Sequence, residues 1–252
     1  MYAEGRFIDQ SMPEFEPISI VIPAHNESKY LKNTIQALQK AIADVVCEAE
    51  IIVVNDDSSD DTADIARSMG VRVIDVSLRN IGAVRNAGAK VARHEWLFFV
   101  DADTLVPAET LRQSLQALAQ GDVGGGARVD MSDEQPIFFV KRIMYYMVVL
   151  VWNIIGGWAA GCFMFCRKEL FDSFGGFDEE YFAAEELFFS KELKQRGKFR
   201  LAKYPVVTSA RKLHNYSTWD LIKFVSTPLF QFTQMLKSRK GCLLYTSPSP
   251  RD

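Results

Sequence analysis

Asp101 and Asp103 stand one residue apart in EWLFFVDADTLVP, directly after an unbroken apolar run from Trp96 to Val100. In extended chain, residues i and i+2 project to the same side. Two carboxylates placed so can hold a hard divalent cation, Mg²⁺ or Mn²⁺, through oxygen ligands, with positions left open for substrate phosphates. A plainer role is also open to them: Asp103 capping the helix that starts near Pro107, with Asp101 solvated.

A second acidic pair, Glu185 and Glu186, precedes an apolar helical stretch in GGFDEEYFAAEELFFSKELKQRG. Acids in a first helical turn complement the helix dipole. A carboxylate partly buried beside Phe182, Phe188 and Phe189 would also have its pKa raised, as a general base for an incoming hydroxyl requires. His214, in SARKLHNYS, is a candidate third metal ligand or phosphate contact, or a surface histidine. Arg211 and Lys212 beside it could clamp a pyrophosphate or form a solvated basic turn. The acid-rich NDDSSDDT fails as a calcium loop. Counted from Asp56, position six is Asp61 rather than glycine, and position twelve is Arg67 rather than glutamate. It reads as an Asx-rich turn leading into a helix, with Asp56 facing a nucleotide base or ribose at the sheet edge.

These residues need a frame. ISIVI, Ile18 to Ile22, is a β-branched run stopped by Pro23, the signature of a strand buried on both faces. Leu31, Ile35, Leu38 and Ile42 follow on one helical face, with Asn26 or Ser28 as a possible cap. Ile51 to Val54 predicts a second strand, and a helix from about Thr62 ends at Gly70. VRVIDV predicts a third strand and GAVRNAGAKVAR a small-residue helix, whose Arg85 has a surface charge as its plainer role. WLFFV predicts a fourth strand, followed by a helix with Pro107 in its first turn and Gly121 just past its end. Strand and helix thus alternate four times between Ile18 and Gln120. The expected fold is a Rossmann-like, doubly wound α/β domain: a mostly parallel central sheet with helices on both faces. Ligands of such sheets bind at the carboxyl ends of the strands, where PAHNE, NDDSSD and DADT all fall.

The second half is less regular, with further helices expected near Glu185 and Trp219. GDVGGGA lacks the lysine and Ser/Thr of a phosphate loop and implies flexibility or close backbone approach. Ile143 to Cys166 carries no charge and is long enough to span a bilayer. A single span there would put Asp101 and Glu186 on opposite sides of the membrane. A broken helix followed by a strand fits better, with the aromatic-rich 138–152 stretch suited to a peripheral membrane contact.

Net charge is −3 and no basic stripe is interleaved with aromatics, which argues against nucleic-acid binding. Cys47, Cys162, Cys166 and Cys242 form no CxxC or zinc spacing, so free thiols in a reducing compartment are expected. The polar, acidic start lacks the features of a signal peptide and reads as an extension over 1–17. CLLYTSPSPRD, residues 242–252, resembles a translated sequencing adapter and reads as a non-native tail, with a natural chain continuing past Gly241.

Six segments in order, SIVIPAHNE, EIIVVNDDSSDDT, RNIGAVRNAGAKVA, WLFFVDADT, GCFMFCRKELFDSFGGFDEEYF and EELFFSKELKQRG, resemble family 2 glycosyltransferases of the GT-A fold, of bacterial type. The resemblance spans roughly Ile18 to Lys212. It implies a single GT-A domain over 18–241, divided into a nucleotide-binding half, 18–120, and an acceptor half, 121–241. It implies metal-assisted transfer of a sugar from a nucleoside-diphosphate donor, with inversion. Pro23, Ala24 and Glu27 would bind the nucleotide and Asp56 its base, most often uracil. Arg85 would lie near the donor phosphates. Asp101 and Asp103, joined by His214, would hold Mn²⁺ or Mg²⁺. The family's usual Glu-Asp pair is Glu185-Glu186 here, which points to Glu186 as the base and keeps Glu185 as a rival.

A UDP-sugar donor, a lipid-linked or polysaccharide acceptor and a cytoplasmic location, at the cytosolic face of a membrane, are the corresponding expectations. Two other functions would use similar parts. A metal-dependent nucleotidyltransferase would need a glycine-rich basic loop after the first strand, and PAHNESKY is not one. A non-catalytic nucleotide-sugar binder would not need the late acidic pair.

Overall fold

The computed structural model describes residues 15–132, 157–181 and 185–209. Four parallel strands form the first half of one sheet: β1 (Ile18–Ala24), β2 (Ala49–Asp56), β3 (Arg72–Val76) and β4 (Trp96–Val100). Every residue of β1 and β4 is buried, as their unbroken apolar runs require. The second half adds β5 (Thr104–Leu105), β6 (Gly124–Ser132), β7 (Phe163–Arg167) and β8 (Phe199–Ser209). The strand order is β3-β2-β1-β4-β7-β6-β8-β5.

Beyond β4 the sheet is mixed rather than mostly parallel. β7 runs antiparallel to both β4 and β6, β8 is parallel to β6, and β5 is antiparallel to β8. Antiparallel β7 brings residues 157–162 back to the carboxyl end of β4. Asp101 N–H donates to Cys162 O at 3.1 Å there.

Alternation along the strands divides two cores. Ile18, Ile20, Ile22, Val53, Phe98 and Val100 face one side. There they pack on α1 (Leu31–Val45), α2 (Thr62–Ser68) and α4 (Ala108–Ala119), through residues such as Leu31, Ile35, Ala66 and Leu111. Val21, Ile52, Val54, Leu97 and Phe99 face the other. They pack on α3 (Ile81–Val91), α5 (Lys168–Ser173) and α6 (Glu185–Arg196). Gly88 lets α3 lie close to the sheet, since a Cβ there would stand 2.3 Å from Val21 Cγ1.

Three local expectations change. GDVGGGA is not a loose loop, because Gly124 to Gly126 are strand β6. A Cβ on Gly125 would lie 1.8 Å from Arg200 O, so close backbone approach explains the glycines. Neither Asn26 nor Ser28 caps α1, whose N-cap is Tyr30 with no side-chain cap bond. Pro107 sits at the N-cap of α4 rather than inside its first turn. In the 143–166 stretch, Phe163 to Cys166 belong to β7, which a single spanning helix does not allow. Among the described residues, no helix is long and apolar enough to cross a membrane. Trp219 and the 138–152 stretch lie outside the described residues.

Candidate active site

The carboxyl ends of β1, β2 and β4 form one acid-rich edge. Pro23 and Ala24 end β1, in register with Val54 and Asn55 of β2. The loop after β1 is knitted to the loop after β2. Asn26, at φ 54°, donates its N–H to Ser58 Oγ at 3.0 Å, and its Oδ1 accepts from Ser59 N–H at 2.8 Å. Glu27 N–H donates to Thr62 Oγ1 at 2.8 Å, and Ser28 N–H to Asp60 Oδ2 at 3.1 Å. NDDSSDDT is therefore a turn that shapes the first loop, with Asn26 bridging rather than capping.

Asp56 is buried, and its carboxylate is already engaged. Oδ1 accepts from Leu78 N–H at 2.7 Å and Oδ2 from Arg79 N–H at 2.9 Å. Its carbonyl accepts from His25 Nδ1 at 2.6 Å. Asp56 thus fixes the loop between β3 and α3, while Asp57 beside it is exposed and paired with Arg79.

The centre of the site is Arg85. Its reading as a surface charge does not hold, since the side chain is 1% exposed. Nη1 donates to Glu185 Oε1 at 2.5 Å. Nη2 donates to Asp101 Oδ1 at 2.8 Å and to Gly161 O at 2.9 Å. Burial pulls the guanidinium pKa down, but the charges of Asp101 and Glu185 outweigh it and the net shift is upward. The small-residue character of α3 allows this. Only a helix pressed onto the sheet carries an arginine far enough inward to meet a strand end.

Glu185 and Glu186 open α6 and differ in surroundings. Glu185 is buried against Arg85. Glu186 is half-buried, and a Cβ on Gly161 would lie 3.7 Å from its Oε2. Burial first, and then the neighbouring charge of Glu185, push the Glu186 carboxyl up to about 8. The rings of Phe99, Phe171, Phe177 and Phe189, the last on α6 itself, pack into one cluster. Of the aromatics expected to enclose Glu186, Phe189 is in that cluster, Phe188 packs on Tyr181, and Phe182 lies outside the described residues.

Asp101 and Asp103 occupy the turn between β4 and β5, not a continuous strand, so they part. Asp101 turns to Arg85. Asp103 is buried near Thr208 of β8, whose Oγ1 lies 3.4 Å from Asp103 Oδ1 and accepts from Thr104 Oγ1 at 3.0 Å. Asp103 does not cap α4, whose N-cap is Pro107. Among the described residues no group of three His, Cys, Asp or Glu could by itself hold a metal. Mg²⁺ and Mn²⁺ bind through as few as one or two carboxylates, with water and substrate phosphate in the remaining positions, so either acid could contribute a ligand without the two converging. His214, Arg211 and Lys212 lie outside the described residues.

Sequence reasoning missed Asn80, Asn86 and Gly161. Asn80 Oδ1 caps α3 by accepting from Ala83 N–H at 2.9 Å, and its Nδ2 donates to Glu179 O at 2.9 Å and Tyr181 O at 3.2 Å. Asn86 Nδ2 donates to Phe177 O at 2.8 Å and its Oδ1 accepts from Phe177 N–H at 2.9 Å. Two asparagines flanking an arginine in a helix of small residues were the available signal. Nothing in the sequence pointed to the Gly161 carbonyl.

A mixed sheet with helices on both faces and an acid-rich carboxyl edge defines the GT-A fold. Solved structures agree. Residues 1–349 of Staphylococcus aureus TarS, in complex with UDP-GlcNAc, superpose with a TM-score of 0.60 at 17% identity, covering 87% of this chain and 69% of that one. The mannosyltransferase PcManGT of Pyrobaculum calidifontis, in complex with GDP-Man and Mn²⁺, gives 0.61 at 20% identity, covering 78% and 57%. The chain belongs to glycosyl transferase family 2, whose sequence model matches residues 19–175. It is 31% identical over 108 residues to the putative glycosyltransferase EpsH of Bacillus subtilis, a stretch covering 41% of this chain and 30% of EpsH. The chain spans between 28% and 63% of the length of the first curated relatives it matches.

Proposed function

We propose that this protein transfers a sugar from a nucleoside-diphosphate donor to an acceptor hydroxyl, with inversion at the anomeric carbon and Glu186 as general base. The observation that carries this is the contrast within the acidic pair. Glu185 is consumed by the buried Arg85, whereas Glu186 is half-buried with its carboxyl raised to about 8, within reach of physiological pH.

Ionised Glu186 takes the proton of the acceptor hydroxyl as its oxygen attacks the anomeric carbon. The bond from that carbon to the diphosphate oxygen breaks, and the nucleoside diphosphate leaves with the electron pair. No covalent intermediate on the protein is required. Pro23, Ala24 and Glu27 shape the nucleotide side. Asp56 holds the 78–79 backbone against the base, with a UDP-sugar as the leading donor. Asp101 and Asp103 would hold Mn²⁺ or Mg²⁺, which supplies positive charge to the departing diphosphate. The family membership and the UDP-GlcNAc and GDP-Man complexes of structural neighbours support a sugar-nucleotide donor.

The test is to incubate the protein with UDP-, GDP- and dTDP-sugars and Mn²⁺ or Mg²⁺ and to identify the released product. Nucleoside diphosphate from one donor is expected. Pyrophosphate release would instead indicate nucleotidyl transfer, and binding of donor with no release would indicate a binding protein.

A further inference from the structure

Arg85 has a different part from the donor-phosphate contact that family resemblance implies. Its guanidinium is 1% exposed and reaches three elements at once. Nη1 holds Glu185 at the start of α6, while Nη2 holds Asp101 at the end of β4 and Gly161 O ahead of β7. Its helix grips the same region at two other points. Asn80 holds the carbonyls of Glu179 and Tyr181, and Asn86 holds both the N–H and the carbonyl of Phe177. On the far side, Ser190 Oγ of α6 accepts from Ala159 N–H at 3.0 Å, which ties α6 to the 157–162 segment. The Arg85 guanidinium stands 5.5 Å from the centroid of the Phe177 ring, which closes one face of it.

We propose that Arg85 is a positioning residue: through Glu185 and Asp101 it registers the start of α6, and so the general base Glu186, against the β4–β5 turn, without contacting the donor. This rests on the transfer reading above. Asp101 and Glu185 come from segments far apart in the chain. Glu185 alone would be a buried charge and Asp101 a part-buried one, and together without a cation they would repel. The arginine's planar fork can bind two acceptors at a fixed separation, which an ammonium cannot do. A row of contacts from Asn80 to Asn86 then makes α3 a bracket for Phe177, Glu179, Tyr181 and Glu185, the last of these adjoining the base.

Arg85→Met would leave a buried and a part-buried carboxylate without their cation and need not fold, so the decisive variant is Arg85→Lys. It keeps the charge but loses the fork. Three measurements are made on the full chain. For donor turnover, kcat is expected to fall about 10²-fold, the cost of a misplaced catalytic group, while the Kd for UDP measured without added metal stays within about threefold. An arginine on the donor phosphates would raise that metal-free Kd tenfold or more, and that result would overturn the proposal. In the Arg85→Lys, Glu185→Gln double variant, kcat should fall no further than in Arg85→Lys alone, because both changes break one linkage. Additive losses would contradict a shared role.

Hydrogen exchange provides an arm independent of turnover. Amides of 177–181 and 185–190 should exchange about tenfold faster in Arg85→Lys, with 31–45 unchanged. Unaltered exchange in those two stretches would overturn the proposal even if the wild-type protein turned over no donor, a result that on its own would count only against the transfer reading.

Discussion

Glu185 and Glu186 are adjacent in the chain and opposite in circumstance. Glu185 is 5% exposed and hydrogen-bonded to Arg85 at 2.5 Å, while Glu186 faces Gly161 with its carboxyl raised to about 8. Two acids in one helical turn thereby separate into one held in an ion pair and one whose carboxyl is pushed upward.

Glu185→Ala is expected to destabilise the protein by about 3–5 kcal/mol, the range for removing one partner of a buried ion pair. Denaturant unfolding checks this. Glu185→Gln, which keeps an acceptor oxygen toward Arg85, should lose less. Equal stability of Glu185→Ala and wild type would show that the pair with Arg85 carries no weight.

The raised carboxyl makes activity and stability respond oppositely to pH. Only ionised Glu186 can accept the acceptor's proton, so kcat/KM should climb with pH, reach half its maximum near pH 8 and level off about one unit higher. The folded carboxyl holds its proton above the unfolded value of 4.5, so its stabilising contribution is complete below 4.5 and is lost as pH rises to about 8. Glu186→Gln should flatten this part of the stability profile, as thermal unfolding at pH 5, 7 and 9 would reveal.

Asp103→Asn should weaken metal-dependent donor binding more than metal-free binding, because one oxygen ligand loses its charge. Calorimetric titration of UDP with and without Mn²⁺ measures both. The same loss in both titrations would remove Asp103 from the cation site.

Gly125→Ala and Gly88→Ala separate two kinds of close approach. At Gly88 the nearest obstacles are side-chain methyls of Val21 and Val54, which can shift. The cost there should be about 1–3 kcal/mol, the range for overpacking. At Gly125 the obstacle is the Arg200 backbone, fixed by β6–β8 pairing. Gly125→Ala should therefore cost more than Gly88→Ala or prevent folding, and the reverse order would be inconsistent with the packing described.

The first half of the fold was legible largely because β1 and β4 are buried on both faces. WLFFV and ISIVI are continuous apolar runs, and they became β4 and the heart of β1. The helical spacing of Leu31, Ile35 and Leu38 likewise marked the buried face of α1, whereas Ile42 is only partly buried and Ala41 and Val45 complete that face. The second half was not legible by the same signals. β6 begins with three glycines, which have poor strand propensity and are set by close neighbours, β7 at Gly124, β8 at Gly125 and Ala159 at Gly126. The last residues of a 24-residue apolar stretch form β7, whose antiparallel direction leaves no periodicity to read. In the site, the acids were visible as residue types, but their sorting was not. That Arg85 is buried, that Asp101 turns to it, and that Asp103 turns toward Thr208 all depend on pairings between residues 16 to 105 positions apart.

The central claim is that Glu186 is the base of a sugar-transfer reaction, and Glu186→Gln tests it most directly. Release of nucleoside diphosphate from the preferred donor is measured for both proteins with Mn²⁺, together with the Kd for UDP. Turnover is predicted to fall by about 10²–10⁴-fold, the range for losing a general base, with UDP binding unchanged. A Glu186→Gln protein that turns over donor at the wild-type rate would contradict the assignment.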